Sequence, residues 1–272
     1  MTPSRGEYVH PQHLLVRLNI ETPGMIEKVE LFEMRIKMFF SPEEQNRIMH
    51  ALNVMVEAHY RQKRTDGSPS IDHPLSVALH IIDLCEKPNV DIVIAALFHD
   101  IIEDQTHMFL SLHNIIDTSA HEPQSYALHV MGDTYGEQVA ETVHGLTNPD
   151  FHAHVQARGM TPEDSGYAEA IRTEYTDHVA DAIQDPTVCL IKFVDVTENA
   201  GSLIQLPDGE RKIWFARKYR PIIDIFISRI LDTQLPLNTT RQAEMIAYLE
   251  DLAAQIDAYL ASIGTVPEMS IA

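Results

Sequence analysis

Apolar positions recur at three- and four-residue spacing along most of the chain, a period that predicts helices. After Ser41-Pro42-Glu43-Glu44, the residues Ile48, Leu52, Met55, Val56 and His59 share one face. The four residues ahead of them read as an N-cap, a proline at the first helical position and a capping-box glutamate. A polar turn, Arg64 to Pro69, follows, and Pro74 then opens a helix with Leu75, Ala78, Leu79 and Ile82 on one side. Pro88 and Asn89 break the pattern, and residues 91–104 form a strongly apolar segment that ends in His-Asp and Glu-Asp. Helical spacing returns over Gly136–Leu146, Tyr167–Ile183, Lys212–Ile230 and Arg241–Ile263. Met25 to Phe40 is predicted as a helix preceded by an arm. Residues 148–166 carry prolines, glycines and histidines without a clear period and predict a long loop or insertion. Val188–Val194 reads as a strand by composition, being rich in β-branched residues, although so short a run has no decisive period.

No repeat, low-complexity tract or clean linker divides the chain. The expectation is an all-α fold: an N-terminal extension over 1–40, one domain over 41–235, and a C-terminal helix over 236–272 packed on it. Of the 272 residues, 44% are hydrophobic and 22% charged, ordinary globular usage that argues against disorder. The net charge of −20 argues against a nucleic-acid partner, because phosphate contacts need clustered Lys and Arg. It leaves room for a small phosphorylated ligand, since a local basic pocket can oppose the global field. Arg61, Lys63 and Arg64 form such a local cluster. The 2 cysteines, Cys85 and Cys189, sit in apolar surroundings and read as buried thiols in a reducing compartment. The longest unbroken apolar run, Ile92–Phe98, falls far short of the roughly 20 residues a bilayer requires. The start MTPSRGEY has no charged-then-apolar leader pattern. A cytoplasmic protein with no membrane partner is expected.

The chemistry concentrates after the apolar run, at Phe98-His99-Asp100-Ile101-Ile102-Glu103-Asp104. On a helix, His99 pairs with Glu103 and Asp100 with Asp104. Burying such groups unpaired costs on the order of 2–7 kcal/mol for a polar group and more for a charge. A helix end turning to water is one explanation and a metal site is the other. His73 precedes Pro74, so its backbone is expected to be extended, with the imidazole beside the helix N-terminus. Asp195 interrupts the apolar Leu190–Val196 and calls for a metal, a cation or several donors; Lys192 is a candidate salt-bridge partner.

Four segments occur in order: AHYRQKRTDGSPSIDHPLSVA, AALFHDIIED, YGEQVAETVHGLT and DPTVCLIKFVDVTENAGSL. Over roughly residues 50–225 they resemble the hydrolase domain of RelA/SpoT-type proteins, an HD-superfamily domain that removes the 3′-diphosphate of (p)ppGpp. The chain length adds a resemblance to the stand-alone small alarmone hydrolases of metazoa and bacteria. The resemblance implies an all-α helical bundle, which makes Val188–Val194 helical against its composition. It implies His73, His99, Asp100 and Asp195 as ligands of a divalent metal, usually Mn²⁺. Two imidazoles and two carboxylates suit that ion, and Fe²⁺, Co²⁺ or Zn²⁺ also fit. It implies Glu103 and Asp104 as the pair that positions or activates water. Arg64, Lys63, Lys192, Asn199 and Tyr219 are implied as substrate-binding residues, Arg64 facing the base. The implied reaction gives the nucleoside 5′-phosphate and pyrophosphate. Homo-oligomerisation stays open.

Ser70 replaces an aromatic residue common in the family after the glycine-proline turn, and the family's basic and aromatic positions before Asn199 become Val196 and Glu198. These changes bear on base recognition, so ppApp, NADPH or another phosphorylated nucleotide is an alternative substrate. A relative that binds nucleotide without turnover is a further alternative.

Overall fold

The computed structural model describes residues 24–64, 67–115, 122–203, 206–232 and 235–264. The arm expected before Met25 lies outside them except for Gly24, as do Thr65 and Asp66 of the polar turn. The described residues fold into helices and turns, with one isolated bridge, Lys63 to Pro69, in antiparallel sense. The chain separates into two compact units, 1–147 and 148–272, a division that the sequence pattern did not draw.

In the first unit, α1 spans Met25–Phe39 and α2 spans Pro42–Ala58. The expected capping box is present. The Ser41 N–H donates to Glu44 Oε2 at 2.8 Å, and Glu44 N–H donates back to Ser41 Oγ at 3.4 Å. Helix α3, Asp72–Leu84, is followed by α4, Val90–Leu97. Asn89 caps α4, its side chain accepting from Ile92 N–H at 2.8 Å. Helix α4 is apolar apart from Asp91, and α5 and α6 are the short helices Ile101–Asp104 and Thr106–Leu112. Helices α7, Pro123–Tyr135, and α8, Glu137–Leu146, complete the unit.

Helix α4 packs against α2, α3 and α8, which explains why it lacks a polar face. Val93 to Phe98 are fully buried. Asp91 pairs instead with Arg47, whose Nη2 lies 3.0 Å from its Oδ1 and also donates to Tyr135 O at 2.8 Å.

In the second unit, α9 is Phe151–Ala157, α10 Tyr167–Ala182, α11 Pro186–Ser202, α12 Glu210–Asp232 and α13 Thr239–Ile263. One expectation from the pattern fails here, and one left open by composition is resolved. Residues 148–166 are not wholly loop, because α9 lies within them. Asp150 caps it by accepting from Ala153 N–H at 2.9 Å, and Val155 is buried with Tyr167 and Ile171. One buried valine per short helix is too sparse a signal to read as a period. The strand composition of Val188–Val194 gives way to the helix that the family resemblance implied. Asp185 accepts from the N–H groups of Thr187 and Val188, Pro186 holds the first helical position, and residues Val188 to Thr197 are all buried. Packing decides such a segment over an intrinsic preference worth at most about 1 kcal/mol.

Both cysteines are buried, and burial pushes each thiol up to about 11, so neither is a ready thiolate. Among the described residues no helix is long and apolar enough to cross a membrane.

Candidate metal centre

The apolar run Ile92–Phe98 does not continue as one helix into the His-Asp pair. Helix α4 ends at Leu97, and Phe98, His99 and Asp100 form a turn before α5 begins at Ile101. The helical register expected for His99 with Glu103 is therefore broken, whereas Asp104 N–H still reaches Asp100 O at 2.9 Å. The break turns His99 back under α4. Its Nδ1 lies 2.8 Å from Ala96 O, a carbonyl that can only accept, so Nδ1 carries a proton, and in the neutral ring Nε2 is the nitrogen that can bind a metal.

His73 also departs from its expected backbone. It is the second residue of α3 and helical, not extended ahead of the helix. A tight turn makes this tolerable. Asp72 N–H bonds Pro69 O at 3.2 Å and His73 N–H bonds Ser70 O at 3.3 Å. Pro74, at the third helical position, has no N–H where the helix would leave one unused.

The two rings meet at an interplanar angle of 77°. His99 Nε2 is 3.2 Å from His73 Nε2 and 3.0 Å from Asp100 Oδ2, and His73 Nε2 is 3.9 Å from the same oxygen. Both imidazoles are buried, at 2% and 6% exposure, and the carboxylate is partly open at 34%. Two imidazole nitrogens and a carboxylate oxygen thus crowd one small space, a grouping that a shared cation would stabilise. A divalent ion of borderline character fits this N₂O donor set, and the backbone bond to His99 Nδ1 is the kind of outer contact that fixes a ligating tautomer.

Glu103 and Asp104 lie on α5, one turn beyond, and line a cleft of about 350 Å³ with His107 and Gln124. Asp104 Oδ2 accepts from Gln62 Nε2 at 2.6 Å, and Gln62 Oε1 lies 2.5 Å from His59 Nδ1. His59 and Gln62 are the residues that sequence reasoning missed. His59 continues the apolar stripe of α2, so its position in the pattern hid it. Burial holds its imidazole below the ordinary value, with Gln62, Asp100 and Asp104 acting in the other direction. Lys63 and Arg64 stand on the turn that follows, closed by Arg64 N–H to Ser68 O at 2.8 Å and Ser70 N–H to Gln62 O at 3.0 Å.

The remaining expected residues belong to the second unit. Asp195 is buried on α11 at 8% exposure and accepts from Asn199 Nδ2 at 2.7 Å. Lys192, buried at 3%, places Nζ 3.9 Å from Asp195 Oδ2 and 3.4 Å from Asn148 Oδ1. Its charge thus faces Asp195, the salt-bridge alternative raised by the sequence. Tyr219 is buried on α12, its ring stacked on Phe215 at 6.0 Å.

The HD domain family matches residues 51–222. The chain is 31% identical over 176 residues to the bifunctional (p)ppGpp synthase/hydrolase SpoT of Escherichia coli (strain K12), covering 64% of this chain and 21% of that protein. It is 30% identical over 171 residues to a guanosine-3′,5′-bis(diphosphate) 3′-pyrophosphohydrolase of Aquifex aeolicus (strain VF5), covering 63% and 20% respectively. The chain thus spans about a fifth of the length of these curated relatives. Among solved structures, a metazoan ortholog of SpoT described as hydrolysing ppGpp aligns with a TM-score of 0.51 over 77% of this chain and 94% of its own. At 17% identity that likeness is one of fold.

Proposed function

The chain belongs to the HD domain family, and on that premise we propose that it is a metal-dependent phosphohydrolase removing the 3′-diphosphate from ppGpp-like alarmones. The carrying observation is the convergence of His73 Nε2, His99 Nε2 and Asp100 Oδ2 within 3.9 Å of one another. The names of the curated relatives support the choice of substrate.

In this reading His73, His99 and Asp100 hold the ion, with Asp195 as the fourth ligand on the strength of its motif. Mn²⁺ is the proposed native metal, because two imidazoles and two carboxylates suit a hard-to-borderline ion. When bound, the ion supplies Lewis-acid polarisation of the phosphate and lowers the pKa of water. Glu103 and Asp104 orient the attacking water and take its proton. The water oxygen joins the phosphorus bonded to the 3′ oxygen and the P–O3′ bond breaks. The 3′ oxygen leaves as a hydroxyl after taking up a proton, and pyrophosphate departs. The nucleoside keeps its 5′ phosphates. Lys63 and Arg64 offset phosphate charge or face the base, and Asn199 orients Asp195 through their 2.7 Å bond. Lys192 and Tyr219 are the remaining proposed contacts with substrate. A cytoplasmic location follows from that substrate class.

The decisive experiment is pyrophosphate release from ppGpp by purified protein with Mn²⁺, with and without chelator. Metal-dependent turnover that Asp100→Ala abolishes is expected, and absence of ppGpp turnover rejects the substrate. Ser70 and Glu198 favour one second reading, a different phosphorylated nucleotide such as ppApp or NADPH. A nucleotide panel in the same assay decides between them by the dominant rate.

A further inference from the structure

We propose that Gln62, oriented by His59, is the positioning residue that sets the Asp104 carboxylate for its work on water. This rests on the reading of Asp104 as part of the acid–base pair.

The atoms leave one arrangement. An ionised carboxylate only accepts, so the Gln62 atom 2.6 Å from Asp104 Oδ2 is the amide nitrogen. The amide oxygen then faces His59, and His59 Nδ1, 2.5 Å away, must carry a proton and donate. One hydrogen-bond chain, His59 to Gln62 to Asp104, thus has a fixed direction at every link.

The chain is anchored at the end that does not react. His59 terminates the long helix α2, its N–H bonded to Met55 O at 3.0 Å, and its ring is 3% exposed. Gln62 is fixed through its backbone as well: its N–H donates to His59 O and its O accepts from Ser70 N–H, both at 3.0 Å. Ser70 O in turn accepts from His73 N–H, so the same turn leads into a metal-centre histidine. Asp104, by contrast, ends a helix of 4 residues and is exposed. An exposed carboxylate gains little stability from one hydrogen bond. Fold stability also gains nothing from burying His59 Nε2, which has no hydrogen-bond partner among the described residues. The arrangement is accounted for by what it does to Asp104, which is to hold one oxygen still and leave the other to face water.

The test combines kinetics with ring NMR of the full chain. Gln62→Ala and His59→Leu should each lower kcat about tenfold or more, the usual cost of losing an outer-shell contact. KM, Mn²⁺ affinity and the thermal midpoint should stay near wild type. His59→Asn, which keeps a donor where Nδ1 stood, should restore most of kcat. Long-range ¹H–¹⁵N spectra of the metal-free protein should show His59 as the Nδ1–H tautomer, and Gln62→Ala should remove that preference. Wild-type kcat in Gln62→Ala, or a loss matched by falling stability or metal affinity, overturns the positioning role. An Nε2–H tautomer in wild type overturns the hydrogen-bond chain alone. Wild-type protein that hydrolyses no phosphorylated nucleotide sinks the functional reading, and the spectra still decide the geometry.

Discussion

Two apolar runs each deliver a carboxylate, and they do it in opposite ways. In the first unit, α4 stops and Phe98–Asp100 turns, so that His99 and Asp100 aim at His73 from a bend. In the second, α11 continues unbroken through Asp195, and the helix's own neighbours answer the charge: Lys192 three residues before and Asn199 four residues after. A regular helix fans its side chains outward and answers a buried carboxylate locally. A turn lets adjacent residues point at one spot, which is what a shared cation requires. The first region gathers its polar groups at a bend, and the second steadies its carboxylate with neighbours on one helix.

The largest expected effect breaks the first region. His99→Ala or Asp100→Ala should reduce Mn²⁺ affinity, read by calorimetry, by more than the roughly 10–100-fold that loss of an outer contact costs. Folding should persist in both variants. Unchanged affinity in both would place the ion elsewhere.

Next in size is a stability test of the second region. Lys192 and Asp195 side chains are 4% and 11% exposed, so Lys192→Met leaves a buried carboxylate short of its cation and should cost about 3 kcal/mol in urea unfolding. Adding Asp195→Asn should recover part of that loss. If the double variant is worse than the single, Lys192 does not balance Asp195.

The caps that start the two helices sharpen the comparison at about 1 kcal/mol each. Asn89→Ala removes one bond at the start of α4, and Asp185→Ala removes two at the start of α11. Asp185→Ala should therefore cost more, as measured by thermal midpoint.

The smallest effect is one of pH. Burial holds the imidazoles of His50 in the first unit and His178 in the second below their ordinary value, and Lys192 adds to the effect on His178. The unfolded chain regains protons at about pH 6.5, before the folded protein does. The stability these groups contribute is therefore complete above that pH and is lost as pH falls toward the depressed folded values. Urea midpoints should drop between pH 7.5 and 5.5, and His50→Phe or His178→Phe should shrink the drop.

The sequence by itself determined the helical class, the capping box at Ser41 and the segments that hold His73, His99, Asp100 and Asp195, because periodicity, caps and motif spacing are local properties of the chain. Tertiary structure alone decided that the apolar run breaks at Phe98 and that residues 151–157 form a helix, and it bore out the helix that the family resemblance implied at Val188–Val194, because the burial that overrides local preference comes from distant elements. It alone also disclosed His59 and Gln62 behind Asp104. Their partner lies more than forty positions away, and a hydrogen bond between two turns leaves no period in the sequence.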